Sequence, residues 1–164
     1  MNQTFHSADQ FNNHRYRLER RWLGNGKIVN FVMLNPSTAD DIFDDPTIRK
    51  CIGYAKSWGY SELTVTNLFA FRATDPKELK KVDSLRAVGG DANNLQIALE
   101  AVRADIVCCA WGAHPFTQRE AEVIDILLDA KVQLFCIGKT KYGAPLHPSR
   151  PAYTALPVIF VERL

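Results

Sequence analysis

Ile28-Val29-Asn30-Phe31-Val32-Met33-Leu34 is an almost unbroken apolar run, and it gives way at once to the polar stretch Asn35-Pro36-Ser37-Thr38-Ala39-Asp40-Asp41-Ile42-Phe43-Asp44-Asp45. A short apolar run without alternation reads as a strand buried on both faces, as in a parallel sheet. Asp45-Pro46 then offers a helix N-cap with proline at the first helical position. The predicted helix runs to Trp58, where Gly59 stops it. The same order recurs downstream. Glu62–Leu68 is β-branched and strand-like. Asp91–Ala104 is helical, with Leu95, Ile97, Ala98, Leu99 and Val102 as its apolar positions. Asp105–Trp111, Thr117–Ala130 and Val132–Ile137 read as strand, helix and strand, and Pro157–Val161 as a last short strand. A short helix is expected near Pro76–Lys81, inside the long connection Phe69–Val88. This alternation predicts a three-layer α/β/α sandwich with a mostly parallel central sheet.

Upstream, Phe11–Trp22 and Lys27–Leu34 flank Gly24-Asn25-Gly26, a hairpin signal. Residues 1–164 therefore read as a single domain, with 1–27 an N-terminal hairpin extension and 28–164 the core. A chain of 164 residues that is 46% apolar and 23% charged can bury a real core. A formal net charge of +2 argues against a protein that coats DNA by charge alone. No apolar run reaches the length of a membrane helix. Met1–Gln10 is polar rather than signal-like, so a cytoplasmic location is expected. Cys51, Cys108, Cys109 and Cys136 form no C-x-x-C pair. Neighbours on a strand point to opposite faces, so Cys108 and Cys109 diverge. Buried reduced thiols are expected, with no disulfide framework and no metal cluster.

Ligands of such folds bind beyond the carboxyl ends of the strands, which directs attention to four loops. In Asn35–Asp45, the Asn35 amide can donate and accept, suiting it to orient a water or read a base edge. Four aspartates between Asp40 and Asp45 suit water activation or metal binding, and equally a turn and an N-cap. The D-x-[DN]-x-[DN]-G pattern of a calcium loop is absent. In Thr66-Asn67-Leu68-Phe69-Ala70-Phe71-Arg72, Asn67 stands at a strand end where an amide can make paired hydrogen bonds to a base. Phe69 and Phe71 read as core. In Trp111-Gly112-Ala113-His114-Pro115, the glycine permits close approach of a ligand, with Trp111 and His114 as candidate contacts. In the last loop, Pro145, Pro148 and Pro151 stiffen the chain around His147, which suits a positioned donor to a developing negative charge. Lys139, Lys141 and Arg150 suit phosphates.

Taken in order, Asn35-Pro36-Ser37, Thr66-Asn67 with Arg72, Ala110-Trp111-Gly112-Ala113 and His147-Pro148-Ser149 resemble the motifs of the uracil-DNA glycosylase superfamily across roughly residues 28–150. More of the chain is similar to an uncharacterised family of bacteria and phages, numbered 1643 among domains of unknown function. That likeness rests on Met33–Asp40, Asp44–Arg49, Asn67–Thr74, Ala110–Ala113 and the G-x-P-x-H-P of Gly143–Pro148.

The glycosylase resemblance implies a uracil-DNA-glycosylase-like fold and specific roles. Asn35 would position the attacking water or the base, and Asn67 would read the Watson–Crick edge. His147 would stabilise negative charge on the base carbonyl oxygen. Phe43 would stack on the base, with Pro36 and Ser37 completing the base site. Ser149, Arg150, Lys139, Lys141 and Arg72 would meet the nucleic acid. No metal and no cofactor are implied. The expected function is a glycosylase-like enzyme acting on the N-glycosidic bond of a base in DNA or a nucleotide. Arg150 stands where the superfamily places an apolar wedge, which favours a single strand or a free nucleotide over duplex. Two other readings stand beside it: a non-catalytic nucleotide or nucleic-acid binding module with the same pocket, and a metal-dependent hydrolase built on Asp40–Asp45.

Overall fold

The computed structural model describes residues 5–162; Met1–Thr4 of the polar start and the last two residues lie outside them. In chain order the elements are β1 (Phe5–Phe11), β2 (His14–Arg21), β3 (Ile28–Met33), α1 (Pro46–Ser57), β4 (Glu62–Asn67), a 3-10 turn (Pro76–Lys81), α2 (Ser84–Val88), α3 (Gly90–Arg103), β5 (Ile106–Cys109), α4 (Thr117–Asp129), β6 (Leu134–Cys136) and β7 (Val158–Val161).

The apolar run of β3 lies at the centre of one seven-stranded sheet, ordered β1-β2-β4-β3-β5-β6-β7. Alternate residues of β3 enter different cores, as a strand covered on both faces requires. Val29, Phe31 and Met33 pack with Ile48, Cys51, Tyr54 and Ala55 of α1. Val32 packs with Ile97 and Ala101 of α3 and with Val123 and Leu127 of α4. Cys108 and Cys109 divide between the same two cores, and all four cysteines are buried and unpaired. Asn30, fully buried, donates from Nδ2 to Thr64 Oγ1 at 3.0 Å, while its Oδ1 has no partner.

The sheet is mixed rather than mostly parallel. β4-β3-β5-β6 form a parallel core, but β1–β2, β2–β4 and β6–β7 pair antiparallel. The expected hairpin at Gly24-Asn25-Gly26 is also corrected. β4 lies between β2 and β3, so the segment through Gly26 is a crossing rather than a turn. The actual hairpin turns at Asn12 and Asn13, whose φ values of 46° and 62° lie in the left-handed region that asparagine tolerates and a tight hairpin demands.

From β3 the chain moves to one neighbour, β4, and then crosses to the other, β5. α1 covers one face, and α3 and α4 the other. The loops leaving β3 and β5 therefore diverge at their carboxyl ends, which is the topological switch point where open α/β sheets bind ligands. Among the described residues, no helix is long and apolar enough to cross a membrane.

Candidate functional site

A cavity of about 820 Å³ opens at this switch point, within the usual size of small-molecule sites. Its walls come from all the loops singled out in the sequence: Asn35 and Ser37 after β3, Ala73 and Thr74 after β4, Trp111 and Gly112 after β5, and Thr140, His147, Ser149 and Arg150 after β6. Asp45 and Ile48 at the start of α1 complete it, and β2 contributes Arg15.

The first two loops are laced together. Ala73 N–H donates to Pro36 O at 2.9 Å, and Asn35 Nδ2 donates to Ala73 O at 2.7 Å and to Pro36 O at 3.0 Å. Both Asn35 amide protons are thereby occupied, which leaves Oδ1 as an acceptor for a ligand. Arg72 Nε donates to Ser37 O at 3.2 Å, so Arg72 is a loop staple outside the cavity lining. Pro36 is buried behind the same loop.

Asp45 is both wall and cap. Its Oδ1 accepts from Ile48 N at 2.9 Å and its Oδ2 from Ala39 N at 3.3 Å. Asp40 accepts from the amides of Ile42 and Phe43, which hold its carboxyl below the usual range. Asp44 pairs with Arg20 at 2.7 Å. Each of these carboxylates is engaged on its own, and among the described residues no three His, Cys, Asp or Glu side chains are grouped to hold a metal ion.

The loop carrying His147 is bolted to α1. Tyr54 Oη donates to Pro148 O at 3.1 Å and Pro151 O at 2.6 Å, and Lys50 Nζ to Pro151 O at 2.8 Å. His147 Nδ1 accepts the Ser149 amide at 3.2 Å and lies 2.8 Å from Ser149 Oγ. That commitment puts the ring proton on Nε2. Burial, with Arg150 adding to it and Asp45 opposing it, lowers the imidazole pKa. The side chain at this wall is thus a neutral imidazole with a free Nε2–H. Gly112, at φ 72°, passes so close that an added Cβ would stand 3.3 Å from His147 Cβ, which accounts for glycine at this turn.

Other expected contacts fall elsewhere. Phe43 is 69% exposed and outside the lining; the aromatic side chain in the lining is Trp111, buried at 2% exposure. Asn67 is also behind the wall. It is 1% exposed and its side-chain nitrogen and oxygen have no partner, although it pairs in register with Met33, which does line the cavity. Lys139 and Lys141 lie over the rings of Phe160 and Tyr142, away from the lining. His114 is locked internally, with Nδ1 accepting Phe116 N at 3.0 Å and Nε2 at 3.0 Å from Glu120.

Residues 15–149 match the family model described as "Protein of unknown function (DUF1643)". The chain belongs to that family. No curated protein and no solved structure matches it. The matched span of this DUF1643 chain opens on Arg15, a wall residue that the loop-by-loop reading passed over. The signal for it was the strand His14–Arg21, where a buried position in a polar run carries a permanent charge.

Proposed function

We propose that this DUF1643 protein binds a nucleobase in the switch-point cavity and cleaves or exchanges its N-glycosidic bond, with a uracil-DNA-glycosylase-like arrangement of the parallel core. The observation that carries the reading is the presence of Asn35 and a neutral, Nε2-protonated His147 in the walls of one cavity. Breaking the bond sends its electron pair to the base and leaves positive charge at the sugar C1′. His147 Nε2–H donates to the base carbonyl oxygen as negative charge grows there, without any proton being transferred in the ground state. Asp45, the one carboxylate in the cavity lining among the described residues, faces the developing cation and takes the proton of the water that adds to C1′. Asn35 Oδ1 orients that water, and Trp111 supplies a flat apolar wall.

Incubation with single-stranded oligonucleotides carrying uracil or modified bases, and with nucleotides, tests this through chromatographic detection of free base. His147→Asn is expected to slow release by about 10²–10³-fold, the usual cost of removing one such donor. Binding with no release from any of these substrates favours the second reading, a non-catalytic nucleotide pocket. That reading draws on the Asn35 amide protons, which are spent on Ala73 and Pro36 carbonyls rather than facing a ligand.

A further inference from the structure

We propose that Arg15 is the anion receptor of this cavity, and that its ligand is a free nucleoside monophosphate whose phosphate sits on the Arg15 guanidinium. The nucleoside half rests on the glycosidic reading above, whereas the anion half stands on Arg15 alone.

Arg15 is 1% exposed and lines the cavity. Its Nη1 donates to Ala39 O at 2.8 Å, and its Nε has no partner. The other buried arginines are neutralised within the chain, Arg20 by Asp44 at 2.7 Å and Arg119 by Glu122 at 2.9 Å. Among the described residues Arg15 has no carboxylate within 4.0 Å, and Asp45 acts on it only at longer range. Burial lowers its pKa to about 10, so it remains charged at neutral pH. A buried cation with no carboxylate in contact is costly. A phosphate monoester supplies both the missing charge and the acceptor for a planar guanidinium fork.

The position selects among phosphates. An internal phosphodiester would draw two flanking nucleotides into the same space to reach a guanidinium with almost no solvent contact. A terminal phosphate enters alone. Lys139 and Lys141, which would track a polymer backbone, lie over aromatic rings outside the lining.

Titration calorimetry of the full chain tests this with the four deoxynucleoside 5′-monophosphates, their nucleosides, inorganic phosphate and a trinucleotide lacking terminal phosphates. The expected result is that at least one monophosphate binds at least thirtyfold tighter than its nucleoside. Arg15→Met should erase that gap, and Arg150→Met on the rim should leave most of it. Should Arg15→Met fail to fold, Arg15→Lys, which keeps the charge and loses the fork, is expected to cut the gap about tenfold. A gap that is absent, that survives Arg15→Met, or that follows Arg150 overturns the proposal. So does Arg15-dependent binding of the trinucleotide without binding of monophosphates. Base release with no phosphate preference leaves the glycosidic reading intact and removes this one. Equal, Arg15-dependent binding of inorganic phosphate and every monophosphate keeps the anion receptor, and overturns both the nucleotide and the glycosidic reading.

Discussion

Ser149 donates its amide to His147 Nδ1, and that bond sets what the imidazole can do: with Nδ1 committed as an acceptor, only Nε2 can donate. The consequence for pH has a definite sign. His147 and His114 both have folded pKa values below the ordinary value of 6.5, each chiefly through burial. As pH falls below 6.5 the unfolded chain therefore takes up these protons first, and native stability declines until the folded imidazoles titrate as well. Above 6.5 the contribution is complete. Denaturant unfolding followed between pH 8 and pH 5 should show this decline, and His147→Gln should flatten part of it, leaving the share due to His114. Identical slopes for the two proteins would refute the assignment. Candidate residues were legible where a loop follows a strand, as Asn35, Ser37, His147, Ser149 and Arg150 show. Which way a side chain turns within a loop depends on bonds between loops. Arg72 is drawn away by the Ser37 carbonyl, and Phe43 follows a tight turn whose amides fold back on Asp40.

Helix α1 shows what local sequence settles well. Asp45 and Pro46 predict its start and Gly59 its end, and the helix spans Pro46–Ser57 with Asp45 accepting from Ile48 N. These signals act within one turn of chain, so nothing distant can override them cheaply. Helix α3 shows the converse. Of Leu95, Ile97, Ala98, Leu99 and Val102, read as its apolar positions, Ile97 is fully buried but Leu95, Leu99 and Val102 are more than half exposed, whereas Asn93 and Glu100 are buried. Ile97 and Ala101 face the apolar core, and polar partners bury the residues beside them. Asn93 Nδ2 donates to Asn67 O at 3.0 Å, and Glu100 accepts Arg17 Nε at 2.7 Å. Neither partner can be read from the helix itself. The two roles of Asp45 can be separated by substitution at this scale. Asp45→Ala should cost about 0.5–2 kcal/mol in chemical denaturation, the usual loss for an N-cap. Asp45→Asn, which still caps, should stay within a few tenths of a kcal/mol of the parent but lose base release. Equal stability losses for both would mean that the carboxylate charge, rather than the cap, supports the helix.

At the scale of the whole molecule, the parallel core was legible because strand and helix signals alternate. The sheet order was not, because β2 joins the far side of β4 rather than pairing with β3. Beside the ladder to β4 and the buried Leu18, β2 is met there by a set of charges from distant segments. Glu19 contacts Arg17 and Arg21; Arg17 reaches Glu100; Arg103 joins Glu62 and, at 3.1 Å, Glu100. Three arginines and three glutamates thus tie β2 to β4 and α3, and the same strand delivers Arg15 to the cavity. Glu19 is nearly inaccessible, with 3% of its side chain exposed, while Arg21 and Arg103 are 50% and 36% exposed. Removing its charge leaves Arg17, Arg21 and Arg103 facing one another without a central anion. Glu19→Gln should therefore cost about 2 kcal/mol, between the exposed-pair and buried-pair limits. Because two of the arginines reach solvent, the loss should shrink in 1 M salt as their mutual repulsion is screened over about 3 Å. Since β2 carries Arg15, the same variant should also weaken binding of a phosphate-bearing ligand. A stability loss that is small, or that is the same at low and high salt, would show that β2 is held by its backbone ladder and apolar residues alone, with the charges merely arranged around it.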